Sequence, residues 1–372
     1  SAGTVDRGQT SALSSTTVTT GTSPYSYQWL EEAPGATTYS SISGATSNSY
    51  SFVTSGSTTT GTYSFELKVT DSASTPTIVT SNAVTVKVNS ALAAPTASAS
   101  KSTVDQGQTS ALSSTTVTTG TSPYSYQWLE EAPSAGSYSS INGAISNSYS
   151  FATSGSTATG TWSFELQVTD SASIPVVVTS TAVSVVVNVA PTVSVSPASW
   201  TMDVGQSQTF SATASGGSGS YSSYQWYVGG VSQSGKTAST FSYSPASAGS
   251  YSITVTVTDS LGATSAQSTA ATVTVNSKLV APTLTATPTT VDQGQTSSLT
   301  SSTVSTGTSP YTYQWLEEAP SGSYVDVGTN SASFSFVTTT STATGTWHFE
   351  LQVTDAAGVV VTSSAVTVTV NT

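Results

Sequence analysis

The sequence predicts an all-β fold, built as a series of antiparallel β-sandwiches. The stretch SPYSYQWLEEAP at residues 23–34 recurs unchanged at 122–133 and returns as SPYTYQWLEEAP at 309–320. Short runs in which apolar and polar residues alternate are separated by clusters of Gly, Ser, Asn and Pro, which is typical of strands with one buried face. No segment keeps a helical period. A repeated alternating pattern of this kind predicts tandem sandwiches.

Four repeats share the same landmarks in the same order. A Gly-Gln pair opens each repeat, a strand tryptophan follows, and a Val-Thr-Asp ending comes later. The strand tryptophans are Trp29, Trp128, Trp226 and Trp315, spaced 99, 98 and 89 residues apart. We predict domains at 1–93, with a truncated opening strand, and at 94–189, 190–279 and 280–372. Each is long enough to bury a core of its own.

The alternation also predicts the core. In TYSFELKVTD, Tyr63, Phe65, Leu67 and Val69 point to one side of the strand and the polar residues to the other. The predicted core aromatics of the four repeats are Trp29, Tyr63, Trp128, Trp162, Trp226, Tyr251, Trp315 and Trp347. Because the chain has no cysteine, these side chains have to hold each sandwich together without a disulfide.

Short proline-containing segments connect the repeats: VNSALAAPT (88–96), VNVAPT (187–192) and VNSKLVAPT (275–283). Proline fixes its own φ and biases the residue before it towards extended backbone. Linkers of this kind predict a semi-rigid rod rather than a flexible string.

The strand motif YxW followed by GxYx[FI]xLxVTD resembles immunoglobulin-like domains of the polycystic-kidney-disease (PKD) type. The resemblance covers all four repeats, although Leu-Glu-Glu-Ala-Pro follows the tryptophan strand where the family has a Gly-Asp-Gly turn. It implies four tandem immunoglobulin-like sandwiches. It also implies an extracellular, cell-surface location, because such arrays occur on archaeal and bacterial surface and filament proteins.

Composition excludes several classes of partner. Only 6% of the 372 residues are charged, and the formal net charge is −12 with six basic residues. A chain so poor in Lys and Arg cannot neutralise a run of phosphates, which argues against nucleic-acid binding. No apolar run approaches the roughly 18 residues of a membrane span. Dominance by Ser, Thr, Gly and Ala also favours an extracellular protein.

Carboxylates are the first candidates for chemistry, but their pattern disfavours it. Adjacent strand residues such as Glu31 and Glu32 face opposite sides of a sheet, and the third repeat lacks the pair. We expect solvated strand ends there, with calcium at domain junctions as the alternative. The aspartate of each Val-Thr-Asp is expected to cap the following turn. The single histidine, His348, has no partner for a zinc site or a triad. We predict no cofactor and no catalysis.

Trp200 and Tyr227 of the third repeat are the candidates for partner contact. Trp200 stands where the second repeat has Ser102, in the first strand region, so it either packs between domains or anchors a partner chain or a sugar ring. The Ser/Thr tracts at 54–62 and 153–161 are polar loops, with O-linked sugar as the second interpretation.

Two functions compete on this basis. Residues 8–34 and 107–133 are identical at 27 positions, and such copying favours a structural protein whose length is its product: a filament, sheath or stalk. The alternative is an adhesin that recognises carbohydrate or another cell surface.

The opening of the first repeat predicts self-association. The second repeat begins APTASASKSTVDQGQTS, whereas the sequence begins SAGTVDRGQTS, without a counterpart of APTASA. We therefore expect an open slot at the edge of the first sandwich. We also expect head-to-tail assembly, with the last domain of one chain on residues 1–10 of the next and Ser1 and Val5 as contacts.

Overall fold

A computed structural model describes residues 3–372, and every regular element within that range is a β-strand. The predicted all-β class is confirmed. The chain divides into two compact units, up to Val189 and from Ala190 onward, and each unit contains two sandwiches.

In the first unit, each sandwich pairs a large sheet with a small one. The first sandwich comprises β1 (Thr4–Asp6), β2 (Thr10–Ser14), β3 (Ser26–Glu32), β4 (Ser40–Ser41), β5 (Ser49–Val53), β6 (Gly61–Thr70), β7 (Ile78–Thr80) and β8 (Val84–Asn89). The second comprises β9 (Ala97–Ala99), β10 (Thr103–Asp105), β11 (Thr109–Ser114), β12 (Ser125–Glu131), β13 (Ser139–Ser140), β14 (Ser148–Ala152), β15 (Gly160–Thr169), β16 (Val177–Thr179) and β17 (Val183–Asn188). The large sheets run β1-β8-β6-β3-β4 and β10-β17-β15-β12-β13, and the small sheets are β2-β5 and β9-β11-β14.

The second unit repeats this plan. The third sandwich comprises β18 (Thr192–Ser196), β19 (Ser199–Asp203), β20 (Gln208–Ser215), β21 (Tyr221–Val228), β22 (Val231–Ser232), β23 (Thr240–Tyr243), β24 (Gly249–Asp259) and β25 (Ala271–Asn276). The fourth comprises β26 (Leu284–Thr287), β27 (Thr290–Asp292), β28 (Thr296–Ser301), β29 (Thr312–Glu318), β30 (Val325–Val327), β31 (Ser333–Val337), β32 (Gly345–Thr354), β33 (Val360–Thr362) and β34 (Val366–Asn371). The large sheets run β19-β25-β24-β21-β22 and β27-β34-β32-β29-β30, and the small sheets are β18-β20-β23 and β26-β28-β31.

One strand pair in each large sheet is parallel, which the antiparallel prediction did not include. In the second sandwich the chain leaves β9, which pairs antiparallel with β11, and after three intervening residues enters β10, which runs parallel to β17. The opening segment therefore changes sheets, and its second half lies beside the last strand of the same sandwich.

Each sandwich closes on its own buried cluster. Along β6, Tyr63, Phe65, Leu67 and Val69 are buried, as the alternation predicts. The strand tryptophans are buried as well, and each indole N–H donates to a loop carbonyl, as Trp29 does to Ser47 at 3.0 Å. The outer predicted aromatics Trp162, Tyr251 and Trp347 are half-buried at the cluster edges.

A glycine turn joins β1 to β2 and recurs in every sandwich. The amide of Gln9 donates to the carbonyl of Asp6 at 3.0 Å, and the side-chain oxygen of Gln9 accepts from the amide of Asp6 at 2.9 Å. Gly8, at φ +92°, occupies the left-handed position that this turn requires. The turn fixes an aspartate and a glutamine side by side at one end of each sandwich.

Candidate functional site at the junctions between sandwiches

The glycine turn of the first sandwich meets the loops of the second. Asp6, 1% exposed, accepts a hydrogen bond through Oδ1 from the hydroxyl of Thr121 at 2.7 Å. That hydroxyl accepts in turn from the side-chain amide of Asn89 at 2.8 Å. The side chain of Gln9 donates to the carbonyl of Ile174. Polar groups at the ends of β1 and β8 thus form hydrogen bonds with the neighbouring sandwich.

Asp170 supplies a second carboxylate to this junction. It closes the Val-Thr-Asp strand and caps the next turn as predicted, accepting from the amides of Val176 at 2.8 Å and Thr121 at 3.2 Å. Burial and the adjacent Asp170 carboxyl raise the pKa of Asp6 to about 6. Burial also acts to raise the pKa of Asp170, but hydrogen bonds from Asp6 and from backbone amides outweigh it and lower that pKa. Below about pH 6 the pair therefore carries one proton, on Asp6, while Asp170 is ionised.

The junction between the third and fourth sandwiches repeats this arrangement. Fully buried Asp203 accepts from the hydroxyl of Thr308 at 2.6 Å, and Thr308 accepts from Asn276 at 2.7 Å. Burial and the nearby Asp355 raise the pKa of Asp203. The side chain of Gln206 donates to the carbonyl of Ala357 at 3.0 Å, as Gln9 does to Ile174. The same side chains form the junction in both units.

Sequence reasoning missed Asp6 and Asp203. A signal for them was present, because an aspartate precedes each Gly-Gln pair by two residues in VDRGQ, VDQGQ, MDVGQ and VDQGQ. The turn explains the glycine, but it does not require an aspartate two residues earlier. The recurrence of that aspartate indicates a second role, which the structure locates at the junction.

Each of the two described junctions brings two carboxylates together, Asp6 with Asp170 and Asp203 with Asp355. Within residues 3–372, no group of three or more His, Cys, Asp or Glu side chains is placed to hold an ion. Both oxygens of Asp170 already accept from backbone amides, which leaves few lone pairs for the six to eight oxygen ligands of calcium.

The paired glutamates lie apart from the junctions. Glu31 and Glu32 belong to β3, where they stand opposite Phe65 and Ser64 of β6. Burial raises the pKa of Glu31, and the same holds for its equivalents Glu130 and Glu317. Each pair lies in a different sandwich, so the structure does not bring them together.

Of the predicted partner contacts that lie within residues 3–372, Trp200 alone is exposed. It is 42% exposed on β19 and lines a cavity of 370 Å³ together with Ala356 and Ala357 of the fourth sandwich. Tyr227 is half-buried on β21, and strands β25 and β24 lie between β19 and β21. The two aromatics therefore do not form one platform.

The predicted contact at Val5 is wrong. Val5 is 1% exposed and packs in the first core, because β1 pairs with β8 at the sheet edge. Ser1 lies outside the described residues. The rest of the opening segment contacts the second sandwich, as when the carbonyl of Thr4 accepts from the amide of Ser173 at 2.8 Å. This segment is therefore not the free surface that was predicted for another chain.

Comparison with known families tests the resemblance noted from the repeat motifs. Residues 192–272 match the family model of the PKD domain. This range lies in the third repeat, which diverges most from the other three, so the resemblance to the PKD type is confirmed there. A search among proteins of curated function found no match.

Several solved structures of tandem domains are similar to the chain. Three N-terminal domains of the outer capsid protein Hoc from bacteriophage RB49 match at 15% identity and a TM-score of 0.40, covering 76% of this chain and 99% of that one. A tetra-tandem repeat from the extending region of a large adhesion protein matches at 18% identity and a TM-score of 0.36, over 100% of both chains. Domains A168–A170 of titin match at 13% identity and a TM-score of 0.35, covering 75% and 100%.

Proposed function

We propose that this chain is a structural, non-enzymatic building block of an extracellular filament, sheath or stalk. In this proposal its sandwiches join head to tail into a semi-rigid rod, both within and between chains. The observation that carries the proposal is the junction, which is built from the same side chains in both units. The two halves of that junction recur separately, one in the first sandwich and one in the fourth.

The fourth sandwich has the half of the junction that Asp6 and Gln9 form in the first sandwich. Asp292 and Gln295 occupy the same glycine turn, with the amide of Asp292 donating to Gln295 Oε1 at 2.9 Å. Asp292 and Asn371 are exposed, whereas Asp6 and Asp203 are buried against a following sandwich. The exposed surface formed by Asp292, Gln295 and Asn371 therefore has the same hydrogen-bond donors and acceptors as the junctions.

The first sandwich carries the receiving half. Asp71 accepts from the amides of Thr77 at 2.7 Å and Thr22 at 3.2 Å, as Asp170 does from Val176 and Thr121. Thr22 is exposed in this sandwich. Contact between two such unlike surfaces is heterologous and extends into an open chain of molecules. The proposed contact therefore uses the end of the sandwich opposite to residues 3–10.

Sedimentation velocity over a range of concentrations, with negative-stain microscopy, tests the assembly. We expect the native chain to form end-to-end species that grow with concentration, and Thr22→Trp to prevent them by filling the receiving surface. Ser51→Trp, on an exposed position of β5, is the matched control and should assemble like the native chain. Equal sedimentation of the native chain and Thr22→Trp would contradict the proposal.

Composition supports the extracellular location. The chain has no cysteine, few charged residues and a large excess of Ser and Thr. No helix within residues 3–372 is long and apolar enough to cross a membrane. We propose a cell-surface protein, of the kind that carries PKD-type arrays on archaea and bacteria, with O-linked sugar on the Ser/Thr tracts.

An adhesin is the second candidate, and Trp200 is the observation that favours it. The turn after Asp355 reaches Val359 in four residues, whereas the turn after Asp170 takes six to reach Val176. Ala356 and Ala357 of this shorter loop line the cavity beside Trp200, where an indole face can stack on a sugar ring. Screening a glycan array with the native chain and with Trp200→Ala tests this candidate. Binding that the variant loses would support it.

A further inference from the structure

The fourth sandwich has a groove between its two sheets. The small sheet ends at β31 and the large sheet ends at β30, and within residues 3–372 these two strands do not pair with each other. A cavity of 530 Å³ lies along β31 and is lined by Glu317 of β29, Phe334 and Phe336 of β31, and Trp347 of β32. The groove therefore combines aromatic side chains with one carboxylate, and its lining residues include no lysine or arginine.

The backbone of β31 is available for pairing along this groove. The amide of Thr338 donates to the carbonyl of Gln295 at 3.0 Å. Hydrogen-bonded and non-bonded pairs alternate along an antiparallel ladder, so the N–H and C=O groups of Ser335 and Val337 point away from β28. No strand within residues 3–372 pairs with that edge. A further strand can therefore add to the small sheet at this position.

Glu317 is the charged group of the groove. It lies on the core side of β29, two residues after buried Trp315, because alternate residues of a strand share a face. The side chain is half-buried, and burial raises its pKa. Within residues 3–372 its carboxylate accepts no hydrogen bond. The groove thus contains an acceptor whose partner is still to be supplied.

The first and second sandwiches repeat this arrangement. Glu31 and Glu130 occupy the position of Glu317 on β3 and β12, and both are half-buried. Burial and the charge of Glu31 raise the pKa of Tyr50 on β5, which places this glutamate beside the last strand of its small sheet. The third sandwich has Val228 at this position, packed against its core. The Leu-Glu-Glu motif therefore provides a groove carboxylate in three of the four sandwiches.

The carboxylate decides which kind of strand can pair with β31. A strand that covered the groove with an apolar or acidic side chain would bury the Glu317 carboxylate without a partner, which is costly. Strands β5, β14 and β31 have the sequences SYSFV, SYSFA and SFSFV, without a basic residue. Edge-to-edge pairing of these strands between two copies of the chain is therefore disfavoured. A lysine or arginine in the added strand would instead form a charged hydrogen bond with Glu317 and stack on Trp347.

We propose that the groove binds an extended peptide segment of another protein that contains a lysine or arginine. The segment adds to β31 as a strand, and its basic side chain contacts Glu317 and Trp347. The grooves with Glu31 and Glu130 bind the same class of segment. The inference goes beyond the proposed end-to-end contact and does not depend on it, because none of the groove side chains named here forms a junction contact.

Calorimetric titration of the native 372-residue chain with the peptide Thr-Val-Thr-Lys-Thr-Val-Thr tests the site. The lysine and the valines of this peptide share one face when it is extended. We expect three peptides bound per chain, one for each sandwich with a groove glutamate. Glutamine in place of the lysine should weaken binding at least about tenfold, because a charged hydrogen bond is lost. Proline in place of the two threonines beside the lysine should abolish binding, since proline cannot donate to a strand edge.

The adjacent glutamates of the protein provide a matched control. One variant replaces the three groove glutamates by glutamine and should bind the lysine peptide at least about tenfold more weakly. The control replaces the second glutamate of each pair: Glu32→Gln, Glu131→Gln and Glu318→Gln. It removes the same charge from the opposite face of the same strands and should bind like the native chain. The comparison separates recognition in the groove from general attraction between a basic peptide and an acidic chain.

Three results would overturn the proposal: no saturable binding to the native chain, equal binding of the lysine and glutamine peptides, or equal losses in the two triple variants. Glu317→Gln alone should reduce the count to two peptides, and a count that stays at three would also contradict it. Self-association of the native chain that the groove variant loses would show that a second copy fills the groove, against the proposal. End-to-end assembly is measured separately with Thr22→Trp, so failure of either proposal leaves the other standing.

Discussion

At the scale of single residues, the tryptophans combine burial with a satisfied donor. Trp29, Trp128, Trp226 and Trp315 all lie in a core, and each indole N–H reaches a carbonyl 12 to 18 residues further along the chain. A buried N–H without a partner would be costly. Each tryptophan thereby ties a loop to the sheet that carries it.

Replacing one of these tryptophans should unfold its own sandwich. We expect Trp29→Ala to lower the free energy of unfolding by about 3–5 kcal/mol, because it removes a large buried side chain and leaves a cavity. Calorimetry should show the first sandwich melting early while the transitions of the second unit are unchanged. The exposed Trp200→Ala is the control and should cost little. A joint collapse of all four sandwiches would show that they are not independent.

The aspartate pair makes the first unit sensitive to pH. The pKa of Asp6 is about 6 in the folded protein, above its ordinary value of 3.8. Protonated Asp6 therefore contributes its full stabilisation below about pH 3.8, and this stabilisation is lost as the pH rises through about 6. The pKa of Asp170 is lowered, so its contribution is lost only as pH falls below that lowered value. Tyr124 also faces the pair, and burial and these charges raise its pKa, which keeps it neutral.

We therefore predict that the first unit melts at a higher temperature near pH 5 than near pH 7.5. Asp6→Asn should flatten this dependence, because an amide donates to Asp170 at every pH. Asp292→Asn, at the equivalent exposed position of the fourth sandwich, is the control and should keep it. Thermal melts of the three proteins across this pH range provide the measurement, and an unchanged profile in Asp6→Asn would exclude the pair as its cause.

At the scale of elements, sequence reasoning succeeded where a strand is long and half-buried. The ten residues of β6 alternate strictly, and the structure buries the predicted face. It failed for β10, because a three-residue strand, Thr-Val-Asp, contains no periodicity that identifies its partner. The change of sheet after β9 and the parallel pairing with β17 follow from tertiary packing. For the same reason the junction aspartates were not predicted, since their partners lie 115 and 105 residues away.

The glycine under Leu92 allows a test of the linker as an element. Gly120 and Gly143 have φ values of +79° and +76°, but a side chain on Gly120 would meet Leu92 and Asp170 whereas one on Gly143 meets nothing within 4 Å. Both alanine substitutions should carry a similar backbone penalty of about 1 kcal/mol. We predict that Gly120→Ala lowers the stability of the first unit further, as measured by urea unfolding. Equal losses would mean that the leucine adjusts without cost.

At the scale of the whole molecule, polar contacts join the first sandwich to the second and the third to the fourth. Each described junction closes with a carboxyl pair, a threonine, an asparagine and a glutamine. We predict that a chelator shifts the melting temperature by no more than about 2 °C. A bound structural calcium ion would stabilise the folded state by its binding free energy, so its removal would lower the melting temperature by more than this. Calorimetry with EDTA, and with added calcium as the reference, tests this. A larger fall with EDTA would indicate an ion at the junctions.

The parallel pairing of an early strand with the last strand of each sandwich has a mechanical consequence. When the two ends of a sandwich are pulled apart, β10 and β17 slide along each other, so their hydrogen bonds bear the load together instead of opening one at a time. The third sandwich has five paired residues in this clamp, whereas the other three have three each. Under tension along the chain, the third sandwich should therefore yield last, as the strongest link of the array.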